Sequence, residues 1–355
     1  MKKICFIAQF PPPMHGLSKA VETLYSSELN QGFAFEKVDI TNNKNFLKNL
    51  RLIRKSQADL FYFTISQTVG GNLRDLLILR LLARRHKKCL VHLHGGYYRT
   101  LVDRDMKPWQ RKANYRAMKS VSGAIVLGPS LKWIFEGMVP EEKIFTVPNC
   151  VDDQYLMSDA ELAEKLAGLE SRKVRHVLYL SNFIRSKGYP EVLEMARLEK
   201  ARVDAGGEKR YHFDFAGKFF EEEERRFFDS FVRDNHLEEY VTLHGVVDGQ
   251  QKMDLLRRCD YFVLLTHYPK EGQPISILEA MGNGMVILTT DHAGIPDIVM
   301  EPRNGLLLGR DDLTRGLALT DDDMRAIAAN NRSDIAANYT QKAYIAHMKR
   351  VFDRV

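Results

Sequence analysis

Glu271 and Glu279 are the residues whose type and spacing point most directly to chemistry. On one continuous helix, two residues eight apart would sit ~12 Å apart and roughly 80° out of phase, too far to hold one small ligand. Gly272 and Pro274 break such a helix, which leaves Glu271 in a loop and Glu279 about one turn inside the helix that follows. Two carboxylates and the free N–H groups of a helix start are then expected to converge on one site. Carboxylates accept from vicinal hydroxyls, and helix N-termini hold phosphate. The pattern suits a ligand rich in hydroxyls at both ends and anionic in the middle, as a nucleotide sugar is.

The elements that must position these groups can be read from periodicity. The apolar run Tyr261 to Leu265 leads through His267 to Pro274 into Ile275 to Gly282, which predicts strand, loop and helix. A second strand-turn-helix unit is expected next, from Met285 to Leu288, the turn Asp291 to Pro296, and a segment ending at Asn304-Gly305. At the other end of the chain, Ile4 to Ala8, the loop Pro11 to Ser18 and a helix from Ala20 to Leu29 follow the same plan. Gly16 would let a ligand approach the backbone at that helix start.

Leu60 to Thr64 and Cys89 to Leu93 are further strands, the second running into His94-Gly95-Gly96. A histidine at a strand's carboxyl end is where an open parallel sheet presents side chains to ligands. Ala124 to Leu127 and Ile144 to Val147 complete the strands expected in this half. Strands resume at His176 to Leu180, Tyr211 to Phe215 and Val241 to Gly245. Glu221 to Glu224 open a helix, where acidic residues favour the dipole on a solvated face. Tandem βα units without hairpin signals predict parallel sheets in both halves. Asp153 to Lys173 is polar, with helical spacing and no strand signal. The domain boundary is expected there, dividing 1–165 from 172–340.

Taken together, E-G-Q-P-I-S-I-L-E-A-M from Glu271 to Met281, G-I-P-D-I-V from Gly294 to Val299, and N-G-L-L from Asn304 to Leu307 resemble the retaining glycosyltransferases of family 4. That resemblance implies the GT-B fold, an α/β architecture of two Rossmann-like domains whose parallel sheets face a central cleft. It implies that the first domain binds acceptor, that the second binds nucleotide sugar, and that a last helix, about 341–355, returns to the first. The function implied is metal-independent, retaining transfer of a hexose-type sugar from a UDP- or GDP-linked donor to a saccharide or lipid-linked saccharide, in bacterial surface polysaccharide biosynthesis. The nucleotide sugar is a substrate, and no cofactor or metal is expected.

Carried onto these positions, the resemblance makes Glu271, Lys187 and His94 catalytic. Glu279 would hold the ribose hydroxyls, Gly272 to Ser276 (with Gln273, Pro274 and Ile275 between them) would face sugar and phosphate, and Gly16 would face the diphosphate. Val246 would lie beside the base. Lys187-Gly188 matches the second half of the family's G-R-x-x-x-x-K-G loop, but Asn182 stands where its arginine would be, and Arg185 is the nearest cation. Cys150 replaces the usual glycine in Pro148 to Asp152. A same-fold epimerase or phosphorylase, or a non-catalytic nucleotide-sugar-binding subunit, stays open, because fold does not fix chemistry.

Composition sets the outer bounds. At 355 residues with 45% hydrophobic content, two substantial cores are expected. Cys5, Cys89, Cys150 and Cys259 are scattered without metal-ligand spacing, as in a cytoplasmic protein with reduced thiols. Asp103-Arg104-Asp105 matches the D-x-D pattern of metal-dependent transferases but lies away from any strand end. No stretch approaches the ~20 apolar residues of a membrane span. Charge is unevenly placed. Between Lys44 and Lys132 there are 19 Lys and Arg against four Asp, a net of +15 in a chain whose total is +6, so the remainder is −9. Basic residues at helical spacing, Lys44, Lys48, Arg51 and Lys55, predict peripheral contact with an anionic membrane, with Phe46, Leu47, Leu50 and Ile53 expected to face the core. The net charge of +6 by itself would suit nucleic-acid binding, but no known module or aromatic-basic alternation supports it.

Overall fold

Strands form where short apolar runs can be buried on both faces of a sheet, as parallel sheets require. In the computed structural model, which describes residues 1–12, 16–309 and 311–355, such runs build two α/β units, one around each of two six-stranded parallel sheets. The first unit comprises 1–150, 270–273 and 341–355, and the second comprises 151–269 and 274–340.

In the first unit the strands are β1 (Lys2–Ala8), β2 (Phe33–Asp39), β3 (Leu60–Thr64), β4 (Lys88–His92), β5 (Gly123–Val126) and β6 (Ile144–Thr146), in the order β2-β1-β3-β4-β5-β6. Its helices are α1 (Gly16–Tyr25), α2 (Phe46–Lys55), α3 (Val69–Arg84), the single turn α4 (Tyr98–Thr100) and α5 (Pro108–Met118). Pro13 to His15, part of the loop before Gly16, lie outside the described residues. β2 escaped the sequence reading. It is an edge strand pairing Phe35 with Ile4, and its Glu36, Lys37 and Asp39 interrupt the apolar run because that edge meets water.

The second unit contains α6 (Asp159–Ala167), β7 (Arg175–Leu180), α7 (Tyr189–Asp204), β8 (Tyr211–Ala216), α8 (Glu222–Asp234), β9 (Val241–Gly245) and α9 (Gly249–Arg258). It continues with β10 (Tyr261–Leu264), α10 (Ile275–Gly282), β11 (Val286–Thr289), β12 (Gly305–Leu307) and α11 (Asp321–Asn338). Strand order is β12-β11-β10-β7-β8-β9. The last helix, α12 (Gln341–Arg354), belongs to the first unit, where Tyr344, Met348 and Phe352 are buried in one cluster with Phe6 and Tyr62.

Four expectations need correction. The units divide after Cys150, not between 165 and 172. The reason is burial: Val151, Tyr155 and Leu169 enter the second unit's core, and buried Lys165 on α6 donates to the carbonyls of Leu256 and Asn283. No helix lies between β11 and β12. Between Thr290 and Asn304 the chain makes turns, with isolated helical bonds from Val299 N–H to the Ile295 carbonyl and from Asn304 N–H to the Met300 carbonyl, since Gly294, Pro296 and Pro302 deny a longer helix its propensity and donors. On α2 only Asn49 and Ile53 are buried, while Leu47 and Leu52 are exposed. The acidic run that opens α8 is not wholly a solvated face, because Glu224 is half-buried and accepts from Arg185 and from the Tyr189 hydroxyl.

Candidate functional site

In the second sheet the order reverses between β7 and β10, whose following strands run outward in opposite directions. Open α/β sheets bind ligands outside the carboxyl ends of strands at such a switch point. The loops that leave β7 and β10 are fastened to each other there. His267 N–H donates to the Ser186 carbonyl at 2.6 Å, and the Thr266 hydroxyl reaches the same oxygen at 3.4 Å. Gly188 makes the close approach possible: its φ is +84°, and a Cβ would lie 2.4 Å from the Leu265 carbonyl oxygen. Lys187, half-buried, ends the β7 loop with Nζ 4.9 Å from the centre of the Tyr268 ring.

The helix that follows is α10, whose N-cap is Pro274 with no side-chain cap. The N–H groups of Ile275, Ser276 and Ile277 are therefore first-turn donors without intrahelical acceptors. Glu279, one turn further, is buried and bonded to Lys252 of α9 at 2.7 Å. Burial raises its pKa, and the Lys252 ammonium opposes that rise. Lys252 also stands 4.1 Å over the Tyr155 ring, and the Tyr155 hydroxyl donates to Asp248 at 2.5 Å. Asp248 caps α9 through Gly249 N–H. The sequence reading found Glu279 and placed Asp248 with Val246 in the loop beside the base, but it missed Lys252 and Tyr155, since nothing in the spacing of α9 marks Lys252 as the partner of Glu279. Val246, in the loop that Asp248 closes, is 68% exposed.

Arg185 does not take the place of the missing arginine. Its guanidinium pairs with Glu224 at 3.1 Å and Glu223 at 3.9 Å and stacks 4.4 Å from Phe227, so α8 claims the charge. Asn182 is exposed, and its carbonyl accepts from the Tyr179 hydroxyl.

The loop that carries Glu271 is built into the first unit rather than the second. Gln273 accepts from Asn149 N–H at 2.8 Å and donates to the Leu127 carbonyl at 3.2 Å, while its own carbonyl accepts from the Asn149 amide at 2.9 Å. The Gln273 side chain is thus spent on Asn149 and Leu127, which leaves only its backbone N–H for the donor contact expected of it. A Cβ on Gly272 would come within 2.9 Å of the Gly95 Cα and 3.0 Å of the His94 carbonyl oxygen. A Cβ on Gly95 would meet the Gln67 amide at 2.2 Å. The glycines at 95 and 272 thus admit two backbone segments to each other, a role the reading of His94-Gly95-Gly96 as a ligand-facing loop did not foresee. Glu271 is buried here.

His94 stacks on His92, ring centres 3.9 Å apart. His92 is fully buried and shares a 2.7 Å hydrogen bond with the Tyr62 hydroxyl. Burial, reinforced by His94, pushes the His92 pKa well below the ordinary histidine value, so His94 packs against a neutral ring. Gly16 is exposed at the start of α1. Asp103 is spent on Arg99, Arg111 and Tyr115, and Asp105 accepts from the Tyr97 hydroxyl. Among the described residues no three His, Cys, Asp or Glu side chains are grouped to hold a metal.

With this geometry in view, comparison with known proteins is informative. Residues 164–323 match the family model described as glycosyl transferases group 1. Apart from residues 270–273, which carry Glu271, that segment lies within the second unit, and it contains Lys187, Lys252 and Glu279. Over the whole chain, HepE of Anabaena, solved in complex with UDP and glucose, superposes with a TM-score of 0.72 at 14% identity, covering 100% of both chains. The fold is GT-B. A GDP-mannose:cellobiosyl-diphosphopolyprenol alpha-mannosyltransferase of Xanthomonas campestris is 24% identical over 263 residues, 73% of this chain and 63% of that protein. An N,N'-diacetylbacillosaminyl-diphospho-undecaprenol alpha-1,3-N-acetylgalactosaminyltransferase of Campylobacter jejuni is 32% identical over 108 residues, 29% of this chain and 28% of that protein. The chain thus spans less than two thirds of the length of these relatives.

Proposed function

We propose that this protein is a metal-independent, retaining family 4 glycosyltransferase that moves a hexose-type sugar from a UDP- or GDP-linked donor to a saccharide or lipid-linked saccharide. The observation that carries this reading is the switch point of the second unit. There Lys187, the uncapped start of α10 and the Glu279–Lys252 pair are placed by one sheet. Names of relatives that act on diphosphopolyprenol-linked sugars support a lipid-linked acceptor, and a relative named for colanic acid biosynthesis supports a place in surface polysaccharide synthesis.

In the reaction, the acceptor hydroxyl forms a bond to the anomeric carbon and gives up its proton as the bond from that carbon to the diphosphate breaks. Negative charge grows on the departing diphosphate, and Lys187 with the α10 N–H groups would stabilise it where it appears. Glu279 would accept from the ribose hydroxyls, its charge and orientation held by Lys252. Glu271 and His94 would act at the sugar. A second reading, a nucleotide-sugar-binding subunit without catalysis, is favoured by one observation only, the diversion of Arg185 to Glu224.

A thermal-shift screen of UDP- and GDP-sugars tests the donor, since a ligand at 100 times its dissociation constant adds about 2.7 kcal/mol of stability. Stabilisation followed by transfer or donor hydrolysis supports the enzyme. Stabilisation with neither supports the subunit, and no stabilisation by any nucleotide sugar removes both. Two further results are expected. Transfer persists in excess EDTA, and a complete loss restored by magnesium would show a metal requirement. Glu279→Ala weakens nucleotide binding about tenfold or more, in line with a charged hydrogen bond worth about 1.5–3 kcal/mol. Lys252→Met in the same background tests whether the loss comes only from stranding Lys252. Unchanged nucleotide affinity in Glu279→Ala would remove it from the ribose.

A further inference from the structure

We propose that the outer surface of the α2, α3 and α5 layer docks on an anionic lipid bilayer. Chain topology puts these helices side by side. The crossovers from β2 to β3, β3 to β4 and β4 to β5 all step the same way across the sheet, and right-handed crossovers then place their helices on one face. The step from β1 to β2 runs the other way, so α1 lies on the opposite face, where Val21 and Leu24 join α12 in the core.

This layer exposes what a helical layer of a water-soluble domain ordinarily buries. Eleven large hydrophobic residues are exposed among the described residues, and six of them lie on these three short helices: Leu47, Leu52, Val69, Leu73, Leu77 and Trp109. Leu47 is 70% and Trp109 is 59% exposed. Between α3 and α5, Leu73, Leu76, Leu77, Trp109 and Ala113 line an apolar groove of about 540 Å³ that Arg80 and Arg116 border.

The charge on the same surface has one sign. α2 carries Lys48, Arg51, Arg54 and Lys55 and no acid, and α5 carries Arg111, Lys112 and Arg116 and no acid. The one acid of α3, Asp75, is buried and accepts from Arg74 and from Ser66 N–H. The three helices therefore offer no exposed carboxylate. A surface that combines exposed leucines and a tryptophan with cations meets its complement at the boundary of an anionic leaflet. Apolar side chains enter the acyl region there while lysine and arginine heads stay at the phosphates. A nucleic acid would match the cations but leave the leucines in water.

The test uses the full chain with Trp133→Phe, so that Trp109 is its only tryptophan. Vesicles of phosphatidylcholine alone are compared with vesicles containing roughly 30% phosphatidylglycerol, a strongly anionic surface. At low salt we expect at least tenfold more protein on the anionic vesicles, with a blue shift of Trp109 emission. Salt at 0.5 M, where screening falls to about 4 Å, should release it. Lys48→Glu, Arg51→Glu, Arg80→Glu and Arg116→Glu combined should reduce binding at least tenfold. Leu47→Ser with Leu77→Ser should also reduce it, without altering the melting temperature. Equal binding to neutral and anionic vesicles, binding unchanged by charge reversal, or binding to duplex DNA but to neither vesicle would overturn the proposal. No readout depends on sugar transfer, so failure here leaves the reading of the second unit untouched.

Discussion

Lys187→Ala and Glu271→Ala are each expected to lower kcat/KM for sugar transfer a hundredfold or more while the protein stays folded. The size follows from the cost of removing one preorganised group that meets charge developing in the transition state, about 10²–10³ in rate. For Lys187 the fold should tolerate the change, because backbone bonds from His267 to Ser186 and from Lys187 itself to Ile184 hold the β7 loop. Glu271 is buried beside Gly272 and Gln273, so Glu271→Gln, which keeps the volume, separates lost charge from lost packing. Steady-state kinetics with the donor from the thermal screen, alongside melting curves, decide the matter. More than a tenth of wild-type activity in both alanine variants would take these residues out of the chemistry.

Gly188→Ala should produce a large loss of stability for a single added methyl. The residue sits at φ +84° and its new Cβ would lie 2.4 Å from the Leu265 carbonyl oxygen and 2.7 Å from the carbonyl carbon. Left-handed strain alone costs a non-glycine residue about 1–3 kcal/mol, and here a backbone must move as well. A total of about 3 kcal/mol is expected, which for a unit of this size lowers the melting temperature by roughly 6–12 °C. The shift should also move Lys187, the preceding residue, and so reduce activity beyond what instability explains. A melting temperature within about 2 °C of wild type would mean that the β7 and β10 loops are not packed as described.

Much of this was legible in the sequence because it depends on local rules. Buried parallel strands such as Leu60–Thr64 and Tyr261–Leu264 are continuous apolar runs, and the break at Gly272 and Pro274 assigns Glu271 to a loop and Glu279 to a helix before any fold is known. Gly188 also carries its meaning in residue type, since only glycine accepts φ +84° cheaply.

What only the tertiary structure decided are pairings between residues far apart in the chain. Asn149 and Gln273 are 124 residues apart, and their three hydrogen bonds with each other and Leu127 assign the Glu271 loop to the first unit. Lys252 becomes the partner of Glu279 because α9 and α10 pack on one sheet, and Arg185 is lost to Glu224 because α8 begins beside it. Leu47 looked like a core residue, since helical periodicity reports which residues share a face but not whether anything covers it. Local sequence dictates backbone conformation through sterics and donor supply. The partner of a buried charge, and the exposure of an apolar face, depend on which elements the topology brings alongside.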